Sequence, residues 1–396
     1  MKMIFFSQHF YPENFRINDI AFGLSKKYKI SVFTGRPNYH TGKIPKKYKG
    51  LSLKHEKIKN IDIFRFPIFP RGKGYLQRII NYLSYILSGS FYSIINKKIT
   101  TKSRIFIYAT SPFFQVIPGI IFSKLQNTKS CIWIQDLWPE TLLDLKIIKK
   151  GIVFKLLNRF VNILYSFTDL ILVPSEGLKK NLKSKVKNVP VKVYHNPSNL
   201  NFQKKIKKNR NKKIVITFSG NIGNAQDFNS LIIALNKNLV KKNIIFKFIG
   251  NGEHLNTLKK KLKPYVIQRK VIFKNYMEQK KLNQILLKSD AYFITLKKGI
   301  SFDLIIPGKF STYLSFGKPI LANCRGDLSK IIEKNEVGYV SQQNDYIKLA
   351  ENINKISRLN NTEKIKIFKN CKKLFSNLFE LKNNLVILEK YLKFKI

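Results

Sequence analysis

Residues 214–227 read IVITFSGNIGNAQD, and the order of residue types in this stretch decides the fold. Ile214 to Phe218 is a short β-branched and aromatic run, the composition of a buried strand. Ser219, Gly220, Asn221, Ile222 and Gly223 follow without a gap, and residues 228–236 then take up helical spacing. A strand, a glycine turn and a helix in that order make the repeating unit of a parallel α/β sheet. The glycines let backbone amides approach a phosphate at the start of the helix. A tight strand–helix turn also uses glycine with no ligand present, so the stretch establishes the unit and leaves the anion open.

The same alternation extends in both directions. Downstream, strands are expected at 245–249, 271–273, 291–294 and 319–322, with helices between them. Upstream, strands are expected at 2–7, 29–34, 61–66, 104–109, 130–135 and 170–174, and helical spacing covers 18–27, 76–97 and 151–167. Between the two sets lies a polar, lysine-rich stretch at 201–213 that reads as a linker. A chain of 396 residues exceeds one core at about 150 residues per domain. The expectation is an α/β protein of two Rossmann-like, doubly wound domains facing across a cleft. Residues 1–200 form the first domain, 201–375 the second, and 376–396 a C-terminal helix that packs back on the first. Open α/β sheets bind ligands beyond the carboxyl ends of their strands, so two such domains offer one ligand per wall and suit transfer between two substrates.

Composition narrows the class further. The net charge is +52, enough to attract any polyanion. The lysines are spread through almost every segment and form no single stripe, which argues against a nucleic-acid module. Cys131, Cys324 and Cys371 stand far apart, without CxxC or Cys/His spacing, so neither a disulfide framework nor a metal site is indicated and a reducing cytoplasm fits. The N-terminal apolar run is too short for a signal peptide and reads as the first strand. Residues 79–96 carry no charge and are flanked by Arg71, Lys73 and Arg78 before and Lys97, Lys98 and Lys102 after. Asn81, Ser84 and Ser88 interrupt that run on one helical face, so it is expected to lie at a membrane rim and not to span it.

Candidate site residues follow from strand ends. In the second half, Gly220 and Asn221 lie in the first glycine turn and Gly250 closes the next strand in the sequence IGNGE. Lys309 follows Pro307 and Gly308 at a helix start, where a lysine opposes the helix dipole unless an anion sits there. In the first half, Asp136 ends a strand within IWIQDLWPE, with Glu140 in the same Pro-bounded turn, and Trp138 reads as a wall or core residue. Asp136 could equally cap the helix beside Pro139. The loop at 9–19 carries Glu13 and Arg16, both suited to contacting an acceptor, while Asn18 or Asp19 would cap the next helix.

Taken together, FYPENFRIND, PNYHTGKIPKKYKG, IWIQDLWPE, FSGNIGNAQD, IGNGE and IIPGKFSTYLSFGKPILA run in order from end to end. In this the chain resembles the bacterial retaining glycosyltransferases of family 4, most closely the WbuB-like group associated with O-antigen and capsule sugars such as N-acetyl-L-fucosamine. The resemblance implies a GT-B fold, a nucleotide-sugar donor such as a UDP-sugar on the second domain, and no metal or other cofactor. It implies a polyprenyl-diphosphate-linked saccharide as acceptor and a peripheral, cytoplasmic place on the anionic inner-membrane surface. By position it gives Asn221, Gln226 and Lys309 to the donor phosphates, the backbone near Tyr276 to the base, and Thr312 to the ribose.

The chain departs from the family at one point. The usual pair of glutamates eight positions apart is replaced by Leu304 and Thr312. A threonine hydroxyl can still bond a ribose hydroxyl, but a neutral hydrogen bond is about half as strong as a charge-assisted one. Donor identity, affinity and activity itself therefore stay open. Two other readings also stay open: a GT-B nucleotide-sugar 2-epimerase, which needs its own acid and base groups, and a basic nucleic-acid module, which predicts steeply salt-dependent duplex binding.

Overall fold

The structure, a computed structural model, describes residues 2–39, 41–72, 74–95, 103–203 and 213–393. Most of the expected linker, and Lys73, Lys97, Lys98 and Lys102, lie outside the described residues. The chain divides into two compact units, Met1–His195 with Leu381–Ile396, and Asn196–Glu380. The divisions fall at 195/196 and 380/381, each five residues from the expected positions.

The first unit holds an eight-stranded sheet in the order β3-β4-β2-β1-β5-β6-β7-β8. Its strands are β1 (Lys2–Ser7), β2 (Lys29–Gly35), β3 (Lys54–Ile58), β4 (Ile61–Phe66), β5 (Ser103–Ala109), β6 (Ser130–Ile134), β7 (Leu170–Val173) and β8 (Val191–Val193). All neighbours are parallel except β3 and β4. The second unit holds a parallel six-stranded sheet in the order β11-β10-β9-β12-β13-β14. Its strands are β9 (Ile214–Ser219), β10 (Ile244–Ile249), β11 (Val271–Lys274), β12 (Ala291–Thr295), β13 (Ile320–Asn323) and β14 (Gly338–Ser341). Both orders reverse direction after the first strand of the unit, between β1 and β5 and between β9 and β12. That reversal opens the crevice in which doubly wound sheets bind ligands.

The central strands are legible in the sequence because helices cover both faces, which makes them unbroken apolar runs. β6 and β12 are buried at all five positions. The unexpected strands are β3, β8 and β14. β3 reads KHEKI, an alternating polar edge strand joined to β4 by a two-residue turn with Lys59 at φ 53°. β8 and β14 are only three and four residues long and sit at sheet edges.

The first helix runs Arg16–Leu24 with Phe15 at its N-cap. Asn18 and Asp19 therefore lie inside its first turn and cap nothing, which corrects the expected role. Asn18 instead donates its side-chain amide to the Glu13 carbonyl at 2.6 Å.

The C-terminal helix Leu381–Leu392 belongs to the first unit. It lies against the helix Arg16–Leu24, where Leu385 fills the space a side chain at Gly23 would need. Leu388 and Leu392 enter the same core as Phe5, Ile17 and Trp133. Lys27 and Glu389 pair at 3.1 Å on its exposed edge and add little, as surface pairs do. The apolar contacts carry the attachment. Leu388 is fully buried, so Leu388→Ala should cost about 2–5 kcal/mol. A urea unfolding midpoint unchanged in that variant would contradict the placement of the helix.

Candidate functional site

In the second unit, two turns interlock at the carboxyl ends of β9 and β10. Gly220 donates its amide to Ile249 O at 2.9 Å, Ile222 donates to Asn251 O at 2.9 Å, and His254 donates to Ile222 O at 3.0 Å. Gly250 has φ 140°, and a Cβ there would run into the Gly220 carbonyl. Only glycine permits that approach. Gln226 closes the first turn by accepting the Gly223 amide at 2.9 Å, and the Asn221 side chain folds over Gly223 and Gly252.

Lys309 reaches this turn from the helix Gly308–Leu314. Its Nζ lies 3.8 Å from the centre of the Phe218 ring and borders the open side of Gly220. Among the described residues no carboxylate stands within ion-pair distance of it. Burial draws its ammonium down to about 7, the desolvation effect on a cation that meets an aromatic face and, among the described residues, no carboxylate. The helix is held in place by Tyr313, whose hydroxyl accepts the Ser219 amide at 2.7 Å. Burial pushes that hydroxyl up to about 12. Thr312 follows Lys309 by three positions on the same helix, half-buried. Tyr276 is exposed, and its amide donates to Asn251 Oδ1 at 3.4 Å.

Gly220, Asn221, Gly250 and Lys309 thus meet at one rim, with Thr312 one helical turn behind Lys309. Three further contacts were not foreseen: Asn224 with His254, Asn251 with Tyr276, and Arg325 with Asp303 at 2.9 Å. The asparagine after Gly250 was a usable signal for the second. All three join residues more than 20 positions apart, and the other two carry no such signal.

In the first unit the residues gather beyond β1, β2, β5 and β6. Asp136 accepts the Ser111 amide at 3.1 Å and the Ser111 hydroxyl at 2.8 Å, and Trp138 donates its indole N–H to that hydroxyl at 2.9 Å. The helix Glu140–Asp144 has Pro139 at its N-cap, so Asp136 is not a cap. Burial raises the Asp136 carboxyl above the ordinary range, with the two bonds from Ser111 opposing it. Tyr108, near the end of β5, lies within electrostatic reach of Arg16, Asp136 and Tyr39, which places these groups around one spot. The Arg16 guanidinium is lowered by burial, with Asp19 at 4.0 Å opposing the shift.

Glu13 and Glu140 each hold a partner within the first unit. Glu13 is buried and accepts the backbone amides of Asn38, at 2.8 Å, and of Tyr39. Its second oxygen lies 3.3 Å from His9 Nδ1. Glu13 therefore positions the loop after β2. Glu140 is committed to Lys185, tying two helices together. His9 also belongs to this cluster, its ring stacked on Phe15 with the edge of Tyr39 against it. The four-residue spacing of His9 and Glu13 just past β1 was its signal. Among the described residues no three His, Cys, Asp or Glu side chains gather as a metal site requires.

Comparison with known proteins bears on the fold and on the class of protein this chain resembles. Residues 200–373 match the family described as glycosyl transferases group 1. Over 296 residues, 70% of this chain and 72% of the other, the sequence is 26% identical to the probable glycosyltransferase WbjE of Pseudomonas aeruginosa. Among solved structures, HepE of Anabaena in complex with UDP and glucose superposes with a TM-score of 0.69 at 14% identity, covering 99% of both chains. The sucrose-phosphate synthase of Thermosynechococcus elongatus gives 0.74 at 11% identity over 98% of both. The chain as a whole thus has the GT-B fold, and residues 200–373 are similar to the group 1 glycosyl transferases.

Proposed function

We propose that the protein transfers a sugar from a nucleotide-sugar donor, held by the second unit, to an acceptor hydroxyl held by the first. The observation that carries this reading is Lys309, a desolvated amine that borders the Gly220 turn and, among the described residues, has no carboxylate beside it. A diphosphate supplies the missing negative charge there, and the Gly220 turn lets it approach the backbone. On this reading Asn221, Gln226, Gly250 and Lys309 hold the diphosphate, Thr312 meets the ribose, Tyr276 borders the base, and the charge is met without a metal.

The finer reading rests on the motif resemblance. It comprises an N-acetylated deoxy-amino sugar such as N-acetyl-L-fucosamine, transfer with retention, and a polyprenyl-diphosphate-linked saccharide as acceptor in O-antigen or capsule synthesis at the inner membrane. Asp136 then accepts the proton of the attacking hydroxyl or orients that hydroxyl, with Ser111 and Trp138 fixing the carboxylate. Arg16, which like Asp136 lies within electrostatic reach of Tyr108, contributes a cation to acceptor binding.

Lys309 makes this testable by pH. Its free amine titrates near 7, and a bound diphosphate raises that value, so the complex holds more protons than the free protein. Affinity for a nucleotide sugar, whose diphosphate has no group titrating near neutral pH, should therefore be flat below about 7 and fall as pH rises above it. Calorimetry at pH 8 in two buffers of different ionisation enthalpy should show proton uptake. Lys309→Met should abolish the uptake and weaken binding by roughly 1.5–3 kcal/mol. Unchanged affinity and uptake would remove Lys309 from the site.

Asp136→Asn keeps the shape of the side chain and removes its charge. Turnover with donor and acceptor should drop about 10²–10⁴-fold while nucleotide affinity stays the same. Near-normal turnover in a folded variant would leave Asp136 only its bonds to Ser111.

A further inference from the structure

The sheet order of the second unit gives each part of a bound nucleotide sugar an address along the carboxyl rim. Tyr276 follows β11, the Gly220 turn follows β9, and β12 and β13 continue the order on the far side of β9. Neighbouring strands stand about 4.8 Å apart, so β11 and β9 are separated by about 10 Å, as are β9 and β13. With the base at the end of β11 and the diphosphate at the end of β9, the sugar falls at the ends of β12 and β13.

Hydrogen bonds tie this part of the rim to the glycine turn. The Lys297 amide donates to Ala225 O at 2.9 Å, and the Thr295 hydroxyl donates to Asp227 O. Asn323 donates its side-chain amide to Thr295 at 3.4 Å, and Ser341 donates its hydroxyl to Asn323 at 3.3 Å. Thr295, Asn323 and Ser341 are buried. The ends of β12, β13 and β14 therefore share one polar floor with the segment that follows Gly223.

The loops after β12 and β13 bring Asp303 and Arg325 together. Asp303 ends the helix Ile300–Asp303, and Arg325 lies two residues beyond β13. Arg325 Nη2 donates to Asp303 Oδ2 at 2.9 Å. An arginine and a carboxylate often share two parallel bonds, whereas this pair makes one. Asp303 Oδ1 and Arg325 Nε are both buried and, among the described residues, have no hydrogen-bond partner. Native proteins seldom leave such atoms unmet. Holding the loops together does not require the pair, because their backbones already touch: Gly326 has φ 78°, and a Cβ there would strike the Asp303 carbonyl. What the pair adds is one acceptor and one donor side by side on side chains that are 22% and 36% exposed. Two hydroxyls on adjacent carbons of a sugar present the complement.

We propose that Asp303 and Arg325 read the sugar of the donor, Asp303 Oδ1 accepting from one hydroxyl of a vicinal diol and Arg325 Nε donating to its neighbour. The proposal rests on the donor reading above and adds the atoms that discriminate between sugars. Asp303 stands outside ion-pair distance of Lys309, so sugar and diphosphate can be tested apart.

The test is calorimetry of the full chain with UDP and with UDP-glucose, UDP-galactose, UDP-N-acetylglucosamine and UDP-N-acetylgalactosamine. The sugar held best is then measured again as its 3-deoxy and 4-deoxy analogues. At least one analogue should bind the unaltered protein about tenfold or more weakly than its parent. Asp303→Ala, and Arg325→Lys, which keeps the charge and removes Nε, should each weaken the parent to the same degree and leave affinity for UDP within about twofold. That analogue should bind the variants and the unaltered protein alike, because residue and hydroxyl are partners in one bond. UDP affinity and thermal unfolding report whether the variants stay folded. If both variants held the parent sugar as before, or lost parent and analogue by the same factor, the pair would serve only the loop and the proposal would be overturned. Failure of the unaltered protein to bind UDP or any of the four nucleotide sugars would instead sink the donor reading, and the assignment of the pair with it.

Discussion

The arrangement of the second unit turns on one desolvated amine, Lys309, that meets an aromatic face and, among the described residues, no carboxylate. An amine held against an aromatic face with no carboxylate beside it costs free energy in the empty protein, and the lowered titration of Lys309 expresses that cost. The surroundings of Lys309 keep the position: Tyr313 locks its helix to the end of β9, and Gly250 lets the second turn close onto the first. Each is needed because the amine must stay at the turn when no anion is present. A site built this way is organised before its ligand arrives, the condition under which electrostatic stabilisation is most effective.

In the first unit the corresponding constraint is the satisfaction of buried polar groups. The loop after β2 would leave the amides of Asn38 and Tyr39 without partners, and Glu13 supplies them. Asn38 in turn accepts the Arg71 amide at 2.9 Å and the Asn81 side chain at 3.3 Å. Gln8 closes the network by donating to Asn81 at 3.0 Å. A single chain of amides therefore connects the loop beside Arg16 and Asp136 with the inward face of Tyr75–Ile95. That helix turns a polar side inward because the network requires it, and its apolar residues are left to face outward.

How much of this could be read in the sequence depended on the range of the interaction. Strands such as β1 and β9 are contiguous apolar runs, and the glycine turns follow them directly, so the fold and the turns at the strand ends were legible from neighbours in the chain. β3 was not, because KHEKI is an edge strand whose pairing comes from β4 and not from its own composition. The task of Glu13 depends on a partner 25 residues away and that of Glu140 on one 45 residues away. Neither partner is marked by a motif, so both acids looked available. Lys309 was legible by position, whereas its titration depends on burial that spacing does not encode.

The central claim is that the second unit is organised around a diphosphate. Thermal unfolding of the full chain with uridine, its mono- and diphosphates and a panel of nucleotide sugars tests this most directly. A ligand at 100 times its dissociation constant stabilises by about 2.7 kcal/mol. The account predicts no effect from the nucleoside, a small one from the monophosphate, and a full shift from at least one diphosphate that Lys309→Met abolishes. No shift from any diphosphate or nucleotide sugar, or a shift that survives Lys309→Met, would contradict it.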